Sequence, residues 1–310
     1  MQHAVLEIER ETDYQQHFTV RGHPYHKRLH TIEIPQSALE AFFAEVDDIS
    51  VQNLEYVPFM RFVLGDSLER ACGYGFAEQL RSIVRNRASG GFEIGVRGVR
   101  DDADSYVKFG TAISHLLGPA NHDAMSHKYY ARFLIKDTDN SDSYLRQAYR
   151  LFTLHTDGTF VDEATDWLLM MKFAEENATG GESRLMHIDD WDELPEFANA
   201  PLAKTSFVYQ APGSKNVAHT TERPLFFESE YGLSVSFIDQ FVQPRTMEEA
   251  LFLKRFSESM EASPGTVETP LPVGNLVVLN NYFWLHGRAP FQKHELLNRE
   301  LMRQRGTLLA

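Results

Sequence analysis

Cysteine occurs once in the 310 residues, at Cys72, which excludes an intrachain disulfide and a cysteine-rich zinc site. No run of about 18 apolar residues is present, so no membrane-spanning helix is expected. Basic residues are outnumbered, 30 Lys and Arg against 44 Asp and Glu. The resulting charge of −14 argues against a nucleic-acid-binding surface, although a local arginine cluster can still hold a small anion in a pocket. Internal repeats, low-complexity tracts and linkers are missing as well, and a single domain spanning 1–310 is expected. No charged-then-apolar leader opens the sequence, and with one cysteine the expected compartment is the cytoplasm. What is present, 43% hydrophobic residues, suffices for a large core.

The most informative stretch runs from Tyr149 to Phe160, reading Tyr-Arg-Leu-Phe-Thr-Leu-His-Thr-Asp-Gly-Thr-Phe. Its composition is that of a strand, along which alternate side chains share a face, so His155 and Asp157 point the same way. An imidazole nitrogen and a carboxylate oxygen so placed can occupy adjacent positions on one divalent ion, and Gly158 lets the backbone turn away. A third ligand is offered by Gly274 to Arg288, where an apolar run enters an Asn280-Asn281 step and a second one ends on His286 with Gly287 behind it. Two imidazoles and a carboxylate on one face leave coordination sites open, as in non-haem iron(II) oxygenases. A zinc hydrolase with three ligands and a water stays an alternative, as does a non-catalytic module that senses a metal or dicarboxylate.

The periodicity predicts a largely helical first third. Ser37-Ala38-Leu39-Glu40 fits a capping box for a helix over Ser37 to Asp47, a second helix is predicted over Gly75 to Ala88, and Asp104 is the expected cap of a third that ends at Gly118-Pro119. Arg81, Arg85 and Arg87 are read as a solvated face. The five histidines His3, His17, His23, His26 and His30 lack a metal-ligand spacing and are read as solvated or edge residues. From Tyr129 onward short strands with turn signals dominate, and Ser229 to Gly232 reads as a hairpin turn. One helix interrupts them, opened by Thr246-Met247-Glu248-Glu249. The expected fold is mainly β with flanking helices, a double-stranded β-helix (jelly roll) carrying an N-terminal helical layer over about 1–125.

Beyond the last histidine, Arg299, Arg303 and Arg305 share parity. On a strand they would line one face and offer guanidinium forks to more than one carboxylate; on a helix Arg299 and Arg303 would form a solvated stripe. A hydrolase has no special need of such a row. An oxygenase that takes 2-oxoglutarate does, because the far carboxylate of a chelating keto acid needs a fixed cation.

Together, His155-Thr156-Asp157-Gly158, the Gly180-Gly181-Glu182-Ser183 turn, Trp284-Leu285-His286-Gly287-Arg288 and the terminal arginines resemble the iron(II)/2-oxoglutarate-dependent dioxygenases of the taurine dioxygenase and clavaminate synthase group. Longer strings resemble the glutarate-hydroxylating family within it: Asn140 to Ala148, Ser214 to Val217, Ile238 to Pro244 and Arg299 to Gly306. The likeness covers Phe109 to Gly306. It implies a jelly roll that assembles as a homotetramer, and a cytoplasmic enzyme of lysine catabolism that hydroxylates glutarate at C2 to L-2-hydroxyglutarate while 2-oxoglutarate and O2 become succinate and CO2. By the same resemblance His155, Asp157 and His286 correspond to iron ligands, and Arg299, Arg303 and Arg305 to carboxylate anchors, with Arg303 and Arg305 the preferred pair. Ser183 corresponds to a hydroxyl that assists the cosubstrate. Nucleic acid and membrane are not expected as partners.

Overall fold

The structure, a computed structural model, describes residues 17–123, 126–137, 148–211 and 219–309. His3, most of the acidic loop after Asp137 and the Ser214 to Val217 string lie outside the described residues. The chain opens with strands β1 (Thr19–Gly22) and β2 (His30–Glu33), then helices α1 (Gln36–Val46), α2 (Val51–Tyr56), α3 (Phe59–Cys72) and α4 (Phe76–Arg85). Strand β3 (Gly91–Gly95) precedes the long helix α5 (Ala103–Leu117), followed by β4 (Ala131–Lys136), β5 (Phe152–His155), β6 (Trp167–Glu176) and β7 (Ser183–His187). Next come α6 (Leu194–Asn199), β8 (Ser206–Gln210), β9 (Thr220–Pro224), β10 (Phe226–Ser229), β11 (Gly232–Val235) and β12 (Val242–Gln243). Helix α7 (Met247–Ala262) leads to β13 (Val267–Thr269), β14 (Asn275–Asn280), β15 (Trp284–Arg288) and β16 (Asn298–Gly306).

Two sheets form the roll. The larger has the order β1-β2-β3-β14-β6-β16-β4 and the smaller β13-β7-β15-β5. The three-stranded β12-β8-β9 sheet and the β10-β11 hairpin, joined by a two-residue turn as predicted, flank them. One apolar core lies between the helices and the larger sheet, where Phe42, Phe43, Phe76, Phe109 and Trp167 are fully buried. A second core, with Tyr209, Phe256, Leu279 and Trp284, fills the space on the other face. Truncating one of these aromatics would cost about 3–5 kcal/mol.

Several local expectations are corrected. Helix α1 starts one residue early, with Pro35 as its cap and no side-chain capping bond, so the Ser37/Glu40 box does not form. Asp102, not Asp104, caps α5 by accepting from the Ser105 N–H at 2.8 Å. Thr246 does cap α7, accepting from Glu249 N–H at 3.1 Å. The largely helical first third also carries β1, β2 and β3, which extend the larger sheet. His23 and His26 are buried rather than solvated, His23 bonded to Glu93 at 3.0 Å and His26 packed on Trp284. Arg87 is a strap rather than a solvated side chain, donating to the carbonyls of Tyr231 and Leu233 and pairing with Asp189.

Candidate metal centre

Strand β15 pairs with β5 in a register that sets His286 opposite His155. Side chains opposite one another in an antiparallel pair stand close together, and the two imidazole centroids are 4.1 Å apart. Strand β5 ends at His155, and the chain turns at Gly158 with φ of 75°. A β-carbon there would lie 2.4 Å from Thr165 Oγ1, so the turn needs glycine. Asp157 is thereby swung beside the two rings, and ligand atoms of His155, Asp157 and His286 all lie within 4.8 Å of one another.

The donor set suits a divalent ion. His155 Nδ1 lies 2.8 Å from the Thr153 carbonyl, which only accepts, so Nδ1 carries the proton and the neutral ring keeps its lone pair on Nε2. Burial, reinforced by His155, pushes His286 well below the ordinary histidine range, leaving it neutral. Burial alone would raise the Asp157 carboxyl; the charges of Arg303 and Arg305 oppose it, and the group lies below the usual carboxylate range. Arg303 Nη1 donates to Asp157 Oδ1 at 3.1 Å, whereas Asp157 Oδ2 is buried without a hydrogen-bond partner among the described residues. A buried carboxylate oxygen left bare is costly, and a cation held between it and two neutral imidazoles removes that cost.

The three arginines stand on β16, as a strand and not a helix. Met302 and Gln304 face the helical layer, Gln304 donating to Thr111 Oγ1, so the alternate residues face the smaller sheet. Arg303 reaches Asp157, Asp123 fixes its outer nitrogen at 2.9 Å, and Arg305 lies near enough for its charge to act on both carboxylates. Arg305 is buried and its Nε has no hydrogen-bond partner among the described residues. Further along, Arg299 is 2% exposed, and neither its Nε nor its Nη1 has such a partner; Glu175 is 3.8 Å from the Nε. Its guanidinium and that of Arg288 lie over the ring of Phe291, at 5.4 and 5.0 Å. Burial lowers both arginines to about 10. Ser183, buried on β7, is paired in register with Arg288. The Gly180-Gly181 turn is required by Phe291, whose ring a β-carbon on Gly181 would meet at 1.9 Å.

The structure thus brings His155, Asp157 and His286 together with Arg303 bonded to Asp157, and sets Arg299 with Arg288 at Phe291, Arg288 being the register partner of Ser183. Sequence reasoning missed Asp123, which belongs to no motif, and left Arg288 unassigned. A cavity of about 180 Å³ lies against Asp157, Gly158, Thr165, Arg223, Asn281 and Tyr282.

Comparison with known proteins gives the family and the fold. The CsiD family model matches residues 18–308. Glutarate 2-hydroxylase of Citrobacter koseri is 45% identical over 282 residues, covering 90% of this chain and 87% of that protein. The protein of the same name from Salmonella typhimurium strain LT2 is 44% identical over 292 residues, covering 93% and 90%. Among solved structures, asparagine oxygenase in complex with Fe(II), a hydroxyasparagine and succinate superposes with a TM-score of 0.72 at 15% identity, covering 90% of this chain and 93% of that one. The non-haem iron oxygenase OrfP with Fe and α-ketoglutaric acid gives 0.64 at 16% identity, covering 87% and 90%. These structural likenesses speak to the jelly-roll fold.

Proposed function

The chain belongs to the CsiD family, and on that premise we propose that it is an iron(II)- and 2-oxoglutarate-dependent dioxygenase that hydroxylates glutarate at C2 to L-2-hydroxyglutarate. Glutarate, 2-oxoglutarate and O2 give 2-hydroxyglutarate, succinate and CO2, one oxygen atom entering each organic product. The observation that carries the reading is the grouping of His155, Asp157 and His286 within 4.8 Å, with Asp157 Oδ2 buried and lacking a hydrogen-bond partner among the described residues. Iron(II) bound there supplies the redox chemistry that couples oxidative decarboxylation to hydroxylation of an unactivated carbon.

The remaining work is positioning. His155, Asp157 and His286 would hold the ion, and the hydrogen bond from Arg303 occupies one Asp157 oxygen, which leaves Oδ2 as the oxygen that would serve as a ligand. For the cosubstrate we assign Arg299 and Ser183 as anchors of the far carboxylate, supported by two buried donors on Arg299 that have no hydrogen-bond partner among the described residues, with Arg288 as a second cation nearby. Arg303 and Arg305, beside Asp157, take a carboxylate of the substrate. Two separate cationic anchors let two five-carbon diacids bind at once in different orientations, and fixing glutarate at one end brings a single C–H to the reacting centre.

The same reading includes one domain over 1–310, a cytoplasmic location and a homo-oligomer, a homotetramer in the family resemblance. In support of the oligomer, Tyr56, Phe59, Phe62 and Val63 are exposed along α2 and α3. The test of function is succinate formation by anaerobically iron-loaded protein given 2-oxoglutarate and O2, with and without glutarate, beside Asp157→Ala. Glutarate-stimulated succinate with matching 2-hydroxyglutarate, both lost in the variant, is expected. Succinate that glutarate leaves unchanged rejects the substrate, and its complete absence rejects the enzyme class.

A further inference from the structure

Asn281 sits in the turn between β14 and β15, five residues before His286. Its side chain, almost wholly buried, bonds to three main-chain groups. Oδ1 accepts from the Asp157 N–H at 2.9 Å, and Nδ2 donates to the carbonyls of Asp157 and Thr165, both at 3.0 Å. Its own main-chain N–H donates to the Asp166 carbonyl at 2.8 Å. A primary amide thus pairs with both backbone groups of one residue as a neighbouring strand would, at a point where β5 has already ended. Asp157 is then fixed twice, at its main chain by Asn281 and at Oδ1 by Arg303, so the position left to Oδ2 is narrow.

We propose that Asn281 is a positioning residue for the metal: it couples the turn that carries Asp157 to the strand that carries His286, and so sets Oδ2 against the two imidazoles. The proposal rests on the iron reading above. The adjacent Asn280 is an internal comparison. It is the same residue type, fully buried, and its amide donates to the Val84 carbonyl on α4 at 3.1 Å while its Oδ1 accepts from Tyr282 N–H at 3.0 Å. It serves the helical layer and makes no side-chain bond to Asp157.

The experiment titrates cobalt(II), an air-stable probe of the iron position, into metal-free wild type, Asn281→Ala, Asn281→Asp and Asn280→Ala, following the visible d–d absorption and, separately, the melting temperature of each metal-free protein. Residues that orient metal ligands typically contribute about 10–100-fold to affinity. Both Asn281 variants are expected to bind cobalt(II) more weakly by that factor, with altered d–d bands, while Asn280→Ala loses melting temperature and binds as wild type does. Asn281→Asp keeps the size and the acceptor for Asp157 N–H but replaces the donor with a charged oxygen facing the Asp157 and Thr165 carbonyls, and it gives a second reading should the alanine variant not fold. Wild-type affinity and spectrum in the Asn281 variants overturn the inference, as does an equal loss in Asn280→Ala, which would mark a general effect of stability. If wild type itself shows no cobalt(II) bands, the metal reading fails and takes this inference with it.

Discussion

At the scale of single residues, the division of labour among the arginines is the sharpest consequence of the geometry. Arg299 and Arg305 are both buried with donors that have no hydrogen-bond partner among the described residues, but of the two only Arg305 lies near Asp157. A hydrogen bond to a charged group contributes about 1.5–3 kcal/mol, which is roughly 10–100-fold in binding. Arg299→Met is therefore expected to raise the KM for 2-oxoglutarate at least tenfold with little change for glutarate, and Arg305→Met to do the reverse; steady-state kinetics with each substrate varied separately decides it. A shift of the same KM in both variants would contradict the assignment. The grouping of His155, Asp157 and His286 was legible because their spacing carries chemistry, and the arginine row once it was read as strand, whereas Ser183 was a candidate only through the family resemblance. Asp123 was not, because it meets Arg303 only across 180 positions of chain and no local pattern announces the pair.

Elements place those residues. The short β5 is an edge strand of the smaller sheet, and Glu261 of α7 takes the place of a further strand by accepting from the Leu154 N–H while it pairs with Arg184 of β7. Helix α7 was readable from its Thr-x-x-Glu opening. Helix α3 was not, since Phe59, Phe62 and Val63 on its outer face blur the contrast with buried Leu64, Leu68 and Cys72. Strand β3 was hidden by its glycines, yet Gly91 is demanded by the Val278 carbonyl, 2.8 Å from where a β-carbon would sit. Helix α5 carries a prediction of its own. Burial lowers His115 to about 4, so the folded protein keeps this ring neutral. The unfolded chain protonates it near 6.5, and stability falls as pH drops from about 6.5 toward 4 while staying flat above. The contribution is about 3 kcal/mol at most. Urea unfolding of wild type and His115→Gln across that window should show a shallower slope in the variant, and parallel slopes would refute it.

For the whole molecule, the many short strands and turn signals announced a jelly roll, whereas the strand order was beyond the sequence: β14 lies between β3 and β6, contacts that only closure of the sheet selects. In the proposed homo-oligomer the exposed row along α2 and α3, with Phe59 67% exposed, is the apolar surface offered to a second copy. Phe59→Glu should lower the mass measured by light scattering with circular dichroism unchanged; an unaltered mass removes that row from the interface. The central claim concerns where oxygen goes. Turnover of glutarate and 2-oxoglutarate under ¹⁸O2, read by mass spectrometry, should place one labelled atom in the new hydroxyl of 2-hydroxyglutarate and one in succinate. Both products formed without label, or 2-hydroxyglutarate formed without succinate, would contradict it.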